Sequence, residues 1–467
     1  MGVLSSSDAS FAMHVDVAVV GGGGCGLCAA LAADEAGATT LVLEADEQPL
    51  GTTAMSTGLI PAARSRFQTE AGIEDSAGQF AADILAKTGN EADADIVAAL
   101  ARESAATVEW LADEHRVPLS LVRSFTYPGH SVMRMHGTPN RTGAELMGAL
   151  VNAVERAEID ILTQARVTDL FVDDGAIVRG VRCRRPDGTA EDLACGALIL
   201  ACCGFAGNAD MVAHYLPEIV DADFFGHPGN RGDAIAWGRA LGAAIEDIHS
   251  YQGHGGLAHG HGVPILWPVI MEGGIQVNRH GRRFSNEARG YSEQAVDVVS
   301  QPGHVAWTVF DRRLHELMQE FDDYRDALAQ KAIVSAADVA QLSEITKLPR
   351  DALTATLNEV AEATAGQTVD RFGRRFAQRP VLAPPYYAVK VTGALFHTQG
   401  GLGVDEHGRV LREDGSAFAN LFAGGGAARG VSGAGCSGYL AGNGLLTATT
   451  FGRLAGREAA RQCAGAA

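Results

Sequence analysis

Apolar residues run almost unbroken through Val15-Asp16-Val17-Ala18-Val19-Val20 and stop at a block of four glycines. A short continuous apolar run bounded by a turn signal predicts a strand buried on both faces. LCAALAADEAG follows with small and apolar residues at helical spacing, a helix that ends at Gly37. Thr39-Thr40-Leu41-Val42-Leu43 predicts a second buried strand. Strand, helix and strand in this order form a parallel βαβ unit and place the chain among α/β folds. Later, Ile161-Leu162 to Val172, Ala176 to Arg185 and Leu193 to Ala201 read as a three-stranded meander. Asp174-Gly175 and Pro186-Asp187-Gly188 supply its turns. From about His249 the pattern changes. Ser335 to Ala363 predicts two helices broken at Leu348-Pro349, and Pro384-Pro385-Tyr386-Tyr387 marks another change.

The glycines between the first strand and helix carry G-x-G-x-x-G at Gly21, Gly23 and Gly26. That motif is weak alone. Here it has a strand before it, a helix after it, a second strand, and Glu44 closing that strand 18 residues past Gly26. This is the context of a dinucleotide site. Gly21 makes the tight turn, Gly23 lets backbone approach a pyrophosphate, and Gly26 lets helix and strand pack closely. Gly24 and Cys25 open the helix, whose free N–H groups and dipole favour phosphate. Glu44, followed by Ala45, can accept from ribose hydroxyls. Cys25-Gly26-Leu27-Cys28 is a C-x-x-C, but its place in the phosphate loop reads as small packing residues.

Composition narrows the partners. The chain has 467 residues with 37 Lys and Arg against 56 Asp and Glu, a net charge of −19. That balance argues against nucleic acid or an anionic membrane surface. No apolar run reaches the length of a membrane span. The start, MGVLSSSDASFAM, fits a short acylation pattern at Gly2 and Ser6 but reads as a frayed leader. Eight scattered cysteines form no disulfide framework, so a reducing, cytoplasmic location is expected. His249, His254, His259 and His261 lie among glycines, with spacings that fit no zinc pattern.

Gly51-Thr52-Thr53-Ala54-Met55-Ser56-Thr57-Gly58 is a small-residue loop after the second strand. It resembles the flavin-side loop of the fumarate reductase and 3-ketosteroid dehydrogenase flavoprotein superfamily. Further segments follow in that family's order: Leu198 to Phe205, Gly229 to Ala234, Gly273 to Asn278 with Gly281 to Glu287, His397 to Gly401, Leu421 to Gly424, and Asn443 to Arg453. The resemblance covers nearly the whole chain. It implies a Rossmann-type, glutathione-reductase-like FAD-binding domain with an inserted α+β capping and catalytic domain. The expected boundaries are 1–248 for the first part of the FAD domain, 249–388 for the cap, and 389–467 for the return. It also implies FAD held noncovalently, since the Gly51–Gly58 loop has no histidine. Implied cofactor contacts are Thr52, Thr53, Ser56, Thr57, Gly58, Val167, Gly204, Asn208, Asp233, His397, Gly425, Gly444, Leu445 and Leu446. One position departs: Gly426 stands where the family usually has an acid or amide.

The substrate end departs further. Family members acting on dicarboxylates use an arginine four residues after the Asn-Glu of the cap; here that position is Tyr291. A second family arginine is replaced by Tyr439 in Tyr439-Leu440-Ala441-Gly442-Asn443, and a substrate histidine by Phe396. Guanidinium suits carboxylate, whereas a phenol O–H suits a ketone oxygen. The resemblance to ketosteroid dehydrogenases therefore implies a ketone desaturase. Tyr439 O–H and Gly442 N–H would polarise the carbonyl, and Tyr291 would take the α-proton, with Tyr127 as support. The expected substrate is a small oxocyclohexane-type ketone or a 3-ketosteroid, and the electron acceptor a quinone, carrier protein or oxygen. The alternatives are a fumarate-reductase-like enoate reductase, with Arg289 or Arg429 replacing the lost arginines, and a non-catalytic flavin protein. Arg123, Arg134 and Arg141 are further spare arginines.

Overall fold

The computed structural model describes residues 2–7, 9–123, 126–376 and 379–466. The chain divides into two compact units. The first comprises Met1–Met211, Gly226–Tyr251 and His397–Ala467; the second comprises Val212–Phe225 and Gln252–Phe396.

A nine-stranded sheet organises the first unit. Met13–Val20 lies between Thr40–Leu43 and Ala190–Leu200, parallel to both. Val17 and Val19 are fully buried, as strands covered on both faces require. Asp160–Leu162 adds to Thr40–Leu43, and Ala417–Ala423 adds to the end of Ala190–Leu200, both in parallel. The expected meander is present, with Val178–Arg184 antiparallel to both Arg166–Val172 and Ala190–Leu200, but it starts later than expected. Asp160–Leu162 pairs with Thr40–Leu43, whereas Arg166–Val172 pairs with Val178–Arg184 in the antiparallel part of the sheet. The N-terminal segment is not frayed: Gly2–Ser5 is a strand running parallel to Asp169–Val172.

Helix Gly24–Glu35 packs on the C-terminal helix Asn443–Ala466. Their contact needs glycine. A Cβ at Gly456 would stand 2.2 Å from the Ala29 carbonyl oxygen, and one at Gly452 would stand 2.4 Å from that of Cys25. Backbone therefore meets backbone, which fixes where the N-terminus of each helix falls.

The second unit is built on a six-stranded sheet. Its long strand, Tyr386–Thr398, pairs antiparallel with Val305–Asp311 and Ile333–Ala336. This strand crosses the expected boundary at 388 without a break, so the chain leaves the unit only at His397. The insertion opens at Gln252 rather than 249 and also takes residues 212–225. Helices Val339–Thr346 and Arg350–Thr364 separate at the expected Leu348-Pro349 break. Among the described residues, no helix is long and apolar enough to cross a membrane.

Candidate functional site

The glycine loop forms a cradle that side chains would fill. Gly21 has φ +105°, and a Cβ there would meet the Ala201 carbonyl oxygen at 2.6 Å. A Cβ on Gly26 would lie 1.8 Å from the Gly21 carbonyl oxygen, so helix and strand touch there. Gly23 precedes the helix with no side-chain cap, and no acid stands in the first turn. The helix thus offers amide donors and a positive dipole end to an anion. Buried Glu44 accepts from Gly22 N–H at 2.7 Å and from Asp46 N–H at 2.9 Å. Each carboxylate oxygen keeps a lone pair for a hydroxyl. Ala45 is exposed beside it. Burial pushes the Cys28 thiol up to about 12 and raises Cys25 as well, so this C-x-x-C is packing and not a reactive dithiol.

Gly51–Ala54 is a short helical turn rather than an extended loop. Thr53 Oγ1 accepts from Gly24 N–H at 3.2 Å, and Ser56 Oγ donates to the Thr53 carbonyl and accepts from Gly58 N–H. Gly58, at φ +65°, would place a Cβ 2.7 Å from the Thr142 carbonyl oxygen. Thr52 Oγ1 accepts from Asn230 Nδ2 at 2.9 Å. Thr57, between Ser56 and Gly58, is half-buried. Val167 is buried in its strand. Asp233 Oδ2 takes Arg166 at 2.9 Å, while buried Oδ1 has no protein partner, as does Asn443 Oδ1. Two orphaned acceptors and an open amide cradle fit a ligand rich in phosphate and hydroxyl groups. Asn208 donates from its amide to the Arg231 carbonyl, and its oxygen caps Met211 N–H at a helix start.

The departure at Gly426 has a steric cause. A Cβ there would stand 2.9 Å from Gly204 N and 3.2 Å from Cys203 Sγ. Gly204 in turn has no room, since a Cβ would overlap Thr398 Oγ1. Gly425, at φ +58°, rests against Cys25. No acid fits where the resemblance expects one.

Tyr439, Gly442, Gly444 and His397 come together in the first unit. The His397 and Tyr439 rings meet edge to face at 5.8 Å. A Cβ on Gly444 would lie 3.0 Å from His397 Nε2 and 3.5 Å from the Tyr439 oxygen. Burial raises the Tyr439 pKa, and the backbone N–H groups of Gly444 and Gly442 at its oxygen oppose that shift without cancelling it. Tyr439 is therefore a neutral phenol, and the Gly442 amide faces it. Gly442 has φ +84°, and a Cβ would strike Pro61 Cδ at 2.7 Å. Burial pushes His397 down to about 4, so it is neutral too. Leu445 and Leu446 are buried in the same helical turn. Tyr127 begins the turn that His130 N–H closes onto the Tyr127 carbonyl at 3.2 Å.

Tyr291 belongs to the second unit, among aromatic rings. His254 stacks on Phe396 with centroids 5.3 Å apart, and Tyr291 lies tilted 5.2 Å from the same imidazole. Trp267 closes the group edge-on, 5.6 Å from His254. His254 Nδ1 accepts from Gly256 N–H at 3.1 Å, which leaves the ring proton on Nε2. Burial pushes this histidine down to about 3. The glycine-histidine run hid it: nearly the whole of Tyr251–Ala258 is buried, so no alternation in that strand marks His254 out. Among the described residues, no cluster fits a metal ion.

Three of the spare arginines are engaged. Arg289 pairs with Asp297 at 2.7 Å, and Arg429 reaches both Asp93 at 3.1 Å and Asp247 at 3.3 Å. Arg134 is buried against Asp75 and Asp83.

A Rossmann-type sheet, a phosphate cradle and a C-terminal helix returning beside it define a dinucleotide-binding flavoprotein. The FAD binding domain family model matches residues 16–445, and the chain belongs to that family. It lies in the superfamily of fumarate reductases and 3-ketosteroid dehydrogenases and binds FAD noncovalently. It is 29% identical over 453 residues to the NADH:fumarate oxidoreductase of Klebsiella pneumoniae (strain 342), covering 96% of this chain and 48% of that protein. The chain thus spans about half the length of that relative. The open conformation of a flavocytochrome c3 fumarate reductase superposes with a TM-score of 0.81 at 27% identity, over 97% of this chain and 79% of that one. The 3-ketosteroid-delta4-(5alpha)-dehydrogenase of Rhodococcus jostii RHA1 gives a TM-score of 0.79 at 23% identity, over 98% and 99%, a likeness of fold.

Proposed function

We propose that the chain is an FAD-dependent oxidoreductase that reduces a C=C bond conjugated to a carbonyl, on a substrate without fumarate's second carboxylate. The reductive direction is supported by the similarity to fumarate-reducing proteins. One observation carries the substrate class: a buried neutral phenol, Tyr439, stands where the resemblance expects an arginine. Arg289 and Arg429, the residues that could restore a carboxylate clamp, are held by acids.

Bound FAD supplies hydride exchange at its N5. The chain's own residues handle the oxygen and the proton. Tyr439 stays protonated and donates its O–H to the carbonyl oxygen, where negative charge grows as the double bond is attacked at its β-carbon. The Gly442 and Gly444 amides orient that phenol. Tyr291 delivers the proton to the α-carbon. Hydride and proton together convert the C=C bond to a C–C bond.

A second reading runs the same residues backward, as desaturation of a cyclic ketone. The phenol favours it, since a neutral donor serves a ketone in either direction. Anaerobic titration separates the two. Chemically reduced protein should be reoxidised by cyclohexenone or a monoenoate, with flavin absorbance returning, and not by fumarate. Bleaching of oxidised flavin by cyclohexanone, without reoxidation by any enone, would move the assignment to the second reading. Reoxidation by fumarate alone would overturn both.

A further inference from the structure

The turn Tyr127-Pro128-Gly129-His130 lies over the segment Leu440–Gly442 in the first unit. Gly129 has φ +86°, and a Cβ there would stand 2.6 Å from Leu440 Cδ1. At its end, His130 Nε2 is 2.9 Å from the Ala441 carbonyl oxygen. His130 Nδ1 is 3.2 Å from Arg134 NH1. A guanidinium can only donate, so Nδ1 accepts and the ring proton sits on Nε2. His130 therefore donates to Ala441. The tautomer is enforced from behind: Arg134 is fixed by Asp75 at 3.0 and 2.9 Å and by Asp83, which also accepts from Ser131 N–H and Oγ–H at 2.8 Å.

The Ala441 carbonyl and the Gly442 N–H belong to one peptide plane. In a trans peptide they point in opposite directions. Gly442 is in the left-handed region, where the peptide before glycine rotates at little cost, so its N–H needs a fixed reference. We infer that His130 is a positioning residue: by clamping the Ala441 carbonyl it aims the Gly442 N–H at the Tyr439 phenol. Neutral imidazole suits the task, and burial with Arg134 alongside keeps it neutral, at a pKa of about 4. The chain of contacts runs Asp75 and Asp83, Arg134, His130, the Ala441–Gly442 peptide, Tyr439. Its consequence for turnover rests on the proposed reduction; the geometric claim does not.

The test uses 3-fluorotyrosine-labelled protein and ¹⁹F NMR, with no substrate. The signal missing from Tyr439→Phe identifies Tyr439 among the eight tyrosines. His130→Leu removes the clamp and should shift that signal while leaving in place the others except Tyr127, which shares the His130 turn. His130→Gln keeps an N–H donor near the Nε2 position and should restore the wild-type shift. If His130→Leu fails to fold, His130→Asn, whose amide is too short to reach Ala441, replaces it with the same expectation. A Tyr439 signal unmoved by loss of the clamp overturns the inference. With cyclohexenone as oxidant, kcat should fall about 10- to 100-fold at little-changed KM in His130→Leu, and recover in His130→Gln. If wild-type protein reduces no enone, the functional proposal fails while the fluorine result still decides the clamp.

Discussion

Three histidines of the first unit are buried neutral, and as the pH falls the folded unit resists charging them while the unfolded chain does not. His130 bonds Ala441 and Arg134, His136 Nε2 lies 2.7 Å from Ser65 Oγ, and His397 packs on Gly444. Burial pushes each from 6.5 to about 4. The unfolded chain binds a proton at each near pH 6.5, while the folded chain waits until about pH 4. Stability is therefore full above pH 6.5 and is lost as pH falls through the window to 4. A depression of roughly 2.5 units corresponds to about 3.4 kcal/mol per imidazole by the lower edge of that window. Near pH 5 all three differ by almost a full proton, giving a slope of about 4 kcal/mol per pH unit. His115, also depressed, adds to it; Asp233 and Asp247, whose carboxyl pKa values burial raises, work against it low in the window.

Against a typical total of about 5–15 kcal/mol, that slope brings acid unfolding of the first unit close to pH 5. Urea unfolding at about pH 7, 6 and 5, followed by far-UV circular dichroism with FAD in excess, reads it directly. The midpoint should drop steeply between the last two. His136→Asn should reduce the slope by about one proton, roughly 1.4 kcal/mol per pH unit. A midpoint that holds steady or rises from pH 7 to 5 would refute the buried-neutral assignment of these rings.

Gly26→Ala should yield protein without flavin, because its Cβ would sit 1.8 Å from a backbone oxygen; flavin absorbance after purification checks it. Tyr439→Phe should lower kcat for an enone about 10²- to 10³-fold with little change in KM, as removal of a single donor to a developing oxyanion does. Arg134→Met should cost about 3–5 kcal/mol by urea unfolding, since it leaves Asp75 and Asp83 buried without their cation.

The strand Val15–Val20, its glycine loop and the helix after it were legible because local pattern and burial agree there. The meander misled at Ile161–Leu162 because a three-residue gap in an apolar stretch does not say to which side of a sheet the chain turns. Gly2–Ser5 gave no signal, since an edge strand draws its stability from a partner 167 residues away, Asp169 for Gly2. The cap that Asn208 gives Met211 N–H was likewise not legible, since the same amide suits a ligand or a helix start. His130 was missed because its role lies in a bond to a backbone carbonyl 311 positions on, a contact that leaves no local pattern.

The charges missing from the flavin side and from the substrate end have local causes in the packing. At 426 the Gly204 backbone and Cys203 sulfur occupy the space an acid would need. At 439 the amides of Gly442 and Gly444 present the positive ends of their dipoles to the side-chain tip. That environment welcomes an oxygen and opposes a guanidinium. In the second unit, Phe396 lies flat on His254 and brings no polar group where the resemblance expects a histidine. Restoring an arginine at 439 alone would put its cation against two N–H donors, beside a neutral His397 that brings no compensating charge. The phenol is one part of a neutral, amide-lined environment, and that environment supports the proposed preference for a carbonyl oxygen over a second carboxylate.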